Sequence, residues 1–382
     1  MLKYTILLAI QITFTLLSAQ SHDSGEIPFE MVRNTIILEL TIEEIPYRFL
    51  LDTGGGFIIS KELADRYDFP VVSEVEVGDV TRQTLQLNRV AVPAITLGNW
   101  TFRDRAAVVF PDWNTFPTSC FQLDGMIGRD FFTDAILDLD YQKRILRLTE
   151  DASVLELNEA DATPLRINAR GLPEALVSLN GEEQFVLFDS GSGDVYSPQT
   201  KRAKRMAKDQ RLSFEGIFSF GLSQGKIKSE KRYRSFVSEL KIGSGTLRNF
   251  HSQFSKLTSA RMGAGILHYG RVTLDYQKQR FYFSPYEKEA SPGRFTSFGV
   301  DFTSLQGEYI IKWVMKGSPA EKAGLQYGQR VLQINDIVLS SGQDNCHYYL
   351  TGFGIDSLEE LRLSILDGDG KRQEVSLRKQ TN

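Results

Sequence analysis

The sequence predicts a mainly β chain made of two related lobes, followed by a smaller α+β unit. Three observations carry that reading. Phe49-Leu50-Leu51 runs into Asp52-Thr53-Gly54, and Phe185-Val186-Leu187-Phe188 runs into Asp189-Ser190-Gly191, so one strand-to-turn pattern occurs twice, 137 residues apart. Leu139-Asp140-Tyr141-Gln142-Lys143 returns as Leu274-Asp275-Tyr276-Gln277-Lys278 at the nearly equal offset of 135. Two unrelated matches at one spacing argue for an internal repeat of a whole lobe. From residue 295 onward the pattern changes to a capped short helix set among strands.

Residues 34–40 and 46–51 are β-branched and aromatic runs, and residues 91–109 hold two more strands. Helical pattern is brief, at 61–67 after the first Asp turn and at 131–135 after Gly128. The acidic stretch 150–161 reads as an exposed connector, and residues 285–293, with Pro285 and Pro292, as a linker. Lys201-Arg202-Ala203-Lys204-Arg205-Met206-Ala207-Lys208 reads as a helix with a solvated basic face. These signals place lobe 1 at 30–150, lobe 2 at 163–285 and the third unit at 295–382.

In the third unit Ser318 is placed to cap a helix opened by Pro319 and ended by Gly324. Gly328-Gln329-Arg330-Val331-Leu332-Gln333-Ile334-Asn335-Asp336 then supplies a strand and a tight turn. Residues 361–366 and 375–377 form a hairpin that turns at Asp367-Gly368-Asp369-Gly370. The string from Gly317 to Asp336 resembles the core of PDZ domains. That resemblance implies a peptide-binding, carboxylate-accepting loop at Phe298, Gly299, Val300, Asp301 and Phe302, and a C-terminal peptide as ligand. The Gly-Leu-Gly-Phe usual in such loops is not reproduced.

A net charge of −4 gives nucleic-acid binding no electrostatic support. Lys3, an apolar run over 4–17 and Ser18-Ala19 read as a signal peptide spanning 1–19, so the mature protein is expected in the periplasm or outside the cell. That run is short for a bilayer span, and no Cys stands at the cut for a lipid anchor. Cys120 and Cys346 fall in different domains and are expected as two unpaired, partly buried thiols. His22, His251, His268 and His347 lack metal-ligand spacing, so no metal and no cofactor is expected.

The two Asp motifs, the duplication around them and Met126-Ile127-Gly128 resemble the aspartic proteases, retropepsin-like and pepsin-like, over residues 30–285. The resemblance implies two pseudo-symmetric closed β-barrel lobes meeting at a substrate cleft, with Asp52 and Asp189 as the catalytic dyad. It also implies that the Thr53 and Ser190 hydroxyls enter a network joining the two loops. Peptides or proteins are then the substrates, and a chain carrying both lobes needs no second copy. The chemistry suits the residue types. Two carboxylates held together share one proton, so one can accept from a water while the other donates to the scissile carbonyl. Gly54 and Gly191 let backbone N–H groups approach the carboxylates.

Gly55 follows the first motif where such enzymes usually carry Ser or Thr, whereas Ser192 follows the second. One lost hydroxyl donor raises the apparent pKa values of the dyad, so a mildly acidic to neutral optimum is expected. The second lobe's counterpart of Met126-Ile127-Gly128 is sought at Gly265-Ile266-Leu267-His268, where His stands in the Gly position. Flaps are expected at Glu76-Val77-Gly78-Asp79 and Phe220-Gly221-Leu222-Ser223-Gln224-Gly225. Residues 20–33 are too few for a masking prosegment, so no zymogen step is expected.

Other readings fare less well. Gly221-Leu222-Ser223-Gln224-Gly225 fits a serine nucleophile elbow, but a basic, polar segment follows where a helix with an apolar face is needed. Gly54-Gly55-Gly56 lacks the Lys-Ser/Thr of a phosphate loop. The rival from another class is a catalytically silent protein that holds peptides in the cleft and the PDZ-like unit by β-augmentation. Two like charges retained in one cleft argue against it. A third reading is a narrow processing protease whose PDZ-like unit selects substrates by their C-termini.

Overall fold

The structure is a computed structural model, and it describes residues 22–78, 84–111, 113–114, 118–205, 211–218, 229–254, 257–305, 307–340 and 345–382. Lobe 1 contains β1 (Ile27–Val32), β2 (Thr35–Ile42), β3 (Ile45–Asp52), β4 (Ile58–Ser60), α1 (Lys61–Tyr67), β5 (Val71–Gly78), β6 (Thr84–Leu97), β7 (Trp100–Phe110), β8 (Gly125–Gly128), β9 (Ile136–Asp140) and β10 (Ile145–Thr149). Alternation along β3 buries Tyr47, Phe49 and Leu51, and so delivers Asp52 at the strand's end. Ser60 caps α1 by accepting from the Leu63 N–H. The helix expected at 131–135 is only a 3₁₀ turn, Arg129–Phe131.

Lobe 2 repeats the plan with β11 (Ala162–Ile167), β12 (Pro173–Leu179), β13 (Glu182–Asp189), α2 (Thr200–Arg205), β14 (Arg211–Gly216), β15 (Glu230–Ile242), β16 (Gly245–His251), β17 (Arg261–Gly263), β18 (Gly270–Asp275) and β19 (Arg280–Pro285). The lobes join where β9 pairs antiparallel with β18, setting Asp138 opposite Thr273. Those residues lie 135 apart, the offset of the Leu-Asp-Tyr repeat, so each faces its own counterpart and the pseudo-twofold axis passes between them. The Thr273 hydroxyl donates to buried Asp138 at 2.6 Å, and Arg271 pairs with the same carboxylate at 2.7 Å.

β20 (Glu289–Ala290) lies between the lobes and the third unit, which holds β21 (Thr296–Ser297), β22 (Val300–Leu305), β23 (Glu308–Met315), α3 (Pro319–Lys322), β24 (Val331–Ile334), β25 (Ile337–Val338), α4 (Asn345–Thr351), β26 (Glu360–Leu366), β27 (Arg372–Arg378) and β28 (Gln380–Thr381). It has its own apolar core, including Phe302, Ile311, Ile334, Tyr348 and Leu363. The α3 cap is Ser318 with Pro319 first in the helix, as its sequence requires.

Three expectations change. The mainly β class stands, but the two lobes do not close into clean separate barrels. β9–β18 pairing joins them, and β14–β23 pairing carries the same network into the third unit, giving 22 connected strands. The segment read as a free linker contributes β20, which lies parallel to β16. Cys120 and Cys346 are not free thiols but a disulfide across 226 residues, with Cα atoms 4.9 Å apart. Packing of α4 on lobe 1 brings them together: Tyr349 stacks edge-on against Phe121 at 5.8 Å, and Arg33 donates to the Tyr349 carbonyl.

Candidate active site

β3 and β13 end at Asp52 and Asp189, and the turns that follow interlock. The Thr53 N–H donates to Ser190 Oγ at 2.9 Å, and the Ser190 N–H donates to Thr53 Oγ1 at 3.0 Å. Each hydroxyl then donates back across the axis, Thr53 to the Phe188 carbonyl at 2.8 Å and Ser190 to the Leu51 carbonyl at 3.0 Å. Both residues are fully buried, so every one of these polar groups needs its partner. A β-carbon on Gly54 would lie 2.7 Å from Asp189 Cγ, and one on Gly191 would lie 2.4 Å from Asp52 Cγ. Each turn therefore packs its glycine against the other lobe's carboxylate, a closeness no other residue permits. The two turns thus bring each aspartate against the glycine of the opposite motif.

Burial pushes the Asp52 carboxyl up to about 7, and the charge and hydrogen bond of Asp189 add to the rise. The Gly54 N–H, donating to Asp52 Oδ1 at 2.8 Å, and the positive charge of Arg261 oppose it. Below about pH 7 Asp52 thus keeps a proton, so it is placed to donate one.

In lobe 1 the parallel β3–β8 register sets Asp52 beside Gly128, and in lobe 2 the parallel β13–β17 register sets Asp189 beside Gly263. The turn sought at Gly265-Ile266-Leu267-His268 is therefore Arg261-Met262-Gly263 instead. Ile266 and Leu267 fill the core in the following 3₁₀ turn, and His268 Nε2 bonds Asn34 Oδ1 at 2.7 Å. Register makes Arg261 the counterpart of Met126. An arginine in an apolar slot hid the match, although Gly263 follows Gly128 at the repeat's offset of 135. Arg261 Nη1 donates to Asp189 Oδ2 at 2.7 Å.

The Ser192 hydroxyl acts on Asp194, opposing the rise that burial imposes on that carboxyl. The Ser192 backbone ties the loop, the N–H donating to the Asp189 carbonyl at 3.0 Å and the carbonyl accepting from Ala264 at 2.7 Å. In lobe 1 a β-carbon at Gly55 would stand 2.7 Å from Met126 Cε and 2.8 Å from Asp52 Oδ2, so the missing hydroxyl accompanies the large neighbour.

Glu76, Val77 and Gly78 lie at the end of the β5–β6 hairpin, as a flap requires. Asp79, the whole of Phe220–Gly225 and with it the serine-elbow pattern fall outside the described residues. Val77, Leu85 and Leu87 of the hairpin join Phe110, Phe121 and Met126 in an apolar wall, on which Tyr349 and Leu350 of α4 pack. Two surface cavities of about 210 Å³ lie elsewhere and include neither aspartate.

The loop at Phe298, Gly299, Val300, Asp301 and Phe302 is less open than a carboxylate-binding loop needs. The Gly299 N–H donates to Ser297 Oγ at 2.9 Å, and the Phe302 N–H donates to the Tyr348 hydroxyl at 3.2 Å. That hydroxyl donates in turn to Asp301 Oδ1 at 2.8 Å, so α4 already occupies part of the β22 edge. Nothing local to 298–302 announces this, since Tyr348 stands some fifty residues downstream of it.

Two repeated lobes thus trade loop hydroxyls beside paired aspartates, and an α+β unit stands behind them. Family comparison agrees: residues 38–131 match the aspartyl protease family model, and residues 310–346 match the PDZ domain model. The chain joins an aspartyl protease domain to a C-terminal PDZ domain. Among solved structures it is similar to basic 7S globulin from soybean, at 13% identity and a TM-score of 0.39, over 69% of this chain and 94% of that one.

Proposed function

We propose that this chain is an exported aspartic endopeptidase, hydrolysing peptide bonds with a water held between Asp52 and Asp189. The observation that carries the proposal is the reciprocal exchange between Thr53 and Ser190, which fixes the two Asp turns against each other across the lobes. Asp189 takes a proton from the water as its oxygen attacks the scissile carbonyl carbon, and Asp52 gives its proton to the carbonyl oxygen. Collapse of the tetrahedral diol passes a proton to the leaving amine, and no acyl-enzyme forms. Both aspartates belong to one chain, so a monomer suffices. The PDZ domain supplies a second peptide-binding element for substrate recognition. The N-terminal leader pattern supports export, and the Cys120–Cys346 disulfide suits an oxidising compartment.

The rival reading, a silent peptide-binding protein, draws on the ion pair that Arg261 makes with Asp189. A fluorogenic peptide library, digested with and without pepstatin, separates the two. Cleavage that disappears in both Asp52→Asn and Asp189→Asn supports the protease. Binding without turnover by the wild-type chain overturns it.

A further inference from the structure

We propose that Arg261 is a positioning residue that fixes which aspartate carries the negative charge, so that a site with a symmetric backbone works in one direction only. The proposal rests on the endopeptidase reading and adds a residue to it. Arg261 projects from β17, the strand beside the one that ends in Asp189, and its guanidinium meets Asp189 Oδ2 at 2.7 Å. Its backbone is held on the far side by two bonds with Ser197, at 2.8 and 3.0 Å. The counterpart in lobe 1 is the thioether of Met126, which offers Asp52 no charge. Gly55 offers Asp52 no hydroxyl, and the Ser192 hydroxyl acts on Asp194.

Charged groups reach the site from both lobes: Arg129 of lobe 1 donates to the Gly55 carbonyl at 3.3 Å and pairs with Asp130. Asp189 faces Asp52 from lobe 1 and Arg261 from β17. Arg261 also acts on Asp194, which feels Arg234 of β15 as well. A charge-assisted hydrogen bond is about twice as strong as a neutral one, and only one aspartate receives it from a cation. The shared proton therefore settles on Asp52 before substrate arrives. Asp189 is the base and Asp52 the acid, an assignment that symmetric carboxylates leave to the substrate.

The test is the pH dependence of kcat/KM in the wild-type chain, in Arg261→Met, which copies lobe 1, and in Arg261→Lys. Loss of the cation moves both limbs of the Arg261→Met profile to higher pH by about one unit, while the lysine variant keeps them near the wild-type positions. The fall in Arg261→Met is expected in kcat, about tenfold or more, with KM little changed. Limbs that stay in place in Arg261→Met overturn the proposal. Should Arg261→Met turn over too slowly for a profile, carboxyl-carbon NMR of labelled aspartates reads the titration directly. Asp52 then loses its proton at higher pH in the variant than in the wild type, and identical titrations overturn the inference. A wild-type chain that cleaves nothing defeats the endopeptidase reading, whereas an active chain indifferent to residue 261 defeats only this one.

Discussion

Lobe 1 and lobe 2 share a backbone and differ in what surrounds their aspartates. Both end a strand in Asp, follow it with a buried hydroxyl residue and glycine, and set the Asp beside a second glycine on a parallel strand. Around that frame lobe 1 places Met126 and Gly55, lobe 2 Arg261 and Ser192. The shared part governs position and the divergent part governs charge. The lobes also grip the PDZ domain differently. Lobe 1 does so through the disulfide and the packing of Tyr349 and Leu350, lobe 2 through the β14–β23 pairing and a cluster of Phe214, Trp313 and Met315.

The largest effect that can break this comparison is catalytic. Asp52→Asn and Asp189→Asn should each lower kcat/KM by about a thousandfold or more, since residues acting as a unit fail together. A variant that keeps substantial turnover would show that one lobe works alone.

A second effect is read at Asp52 of lobe 1. Folding lifts Asp52 from the ordinary 3.8 to about 7, so the native state holds a proton that the unfolded chain releases near pH 4. Stability contributed by this group is thus full below pH 4 and declines as pH rises to about 7, with a slope of up to about 1.4 kcal/mol per pH unit. Thermal melts from pH 4 to 8 should show the wild type losing ground to Asp52→Asn across that window.

Removing the covalent link with Cys120→Ser/Cys346→Ser should cost about 2–4 kcal/mol in denaturant unfolding. Phe214→Ala is the matching test on the lobe 2 side, and costs that simply add would show two independent grips. The smallest expected change is at the axis. Thr53→Val leaves the Ser190 N–H without its acceptor, Ser190→Ala does the same to Thr53, and each should cost about 1–3 kcal/mol. Equal costs would mean that the symmetry is energetic as well as geometric.

The parts legible in the sequence are those written locally or repeated. The Asp turns needed only an apolar run and three residues, and α1 occupies Lys61–Tyr67, the expected residues, because its helical spacing marks it. The PDZ helix was equally legible from Ser318, Pro319 and Gly324. Features created by distant packing were not. Cys120 and Cys346 carry no local sign of each other, and Tyr348 reaches the β22 edge only because α4 folds back across it. Arg261 escaped for another reason: the pattern sought was apolar, and a charged side chain stands at the register position of Met126.

The PDZ domain is riveted to one lobe by a covalent bond and laminated to the other by a shared strand edge. It thereby becomes a crossbar spanning the two halves, and any widening of the gap must strain the rivet or peel the laminate.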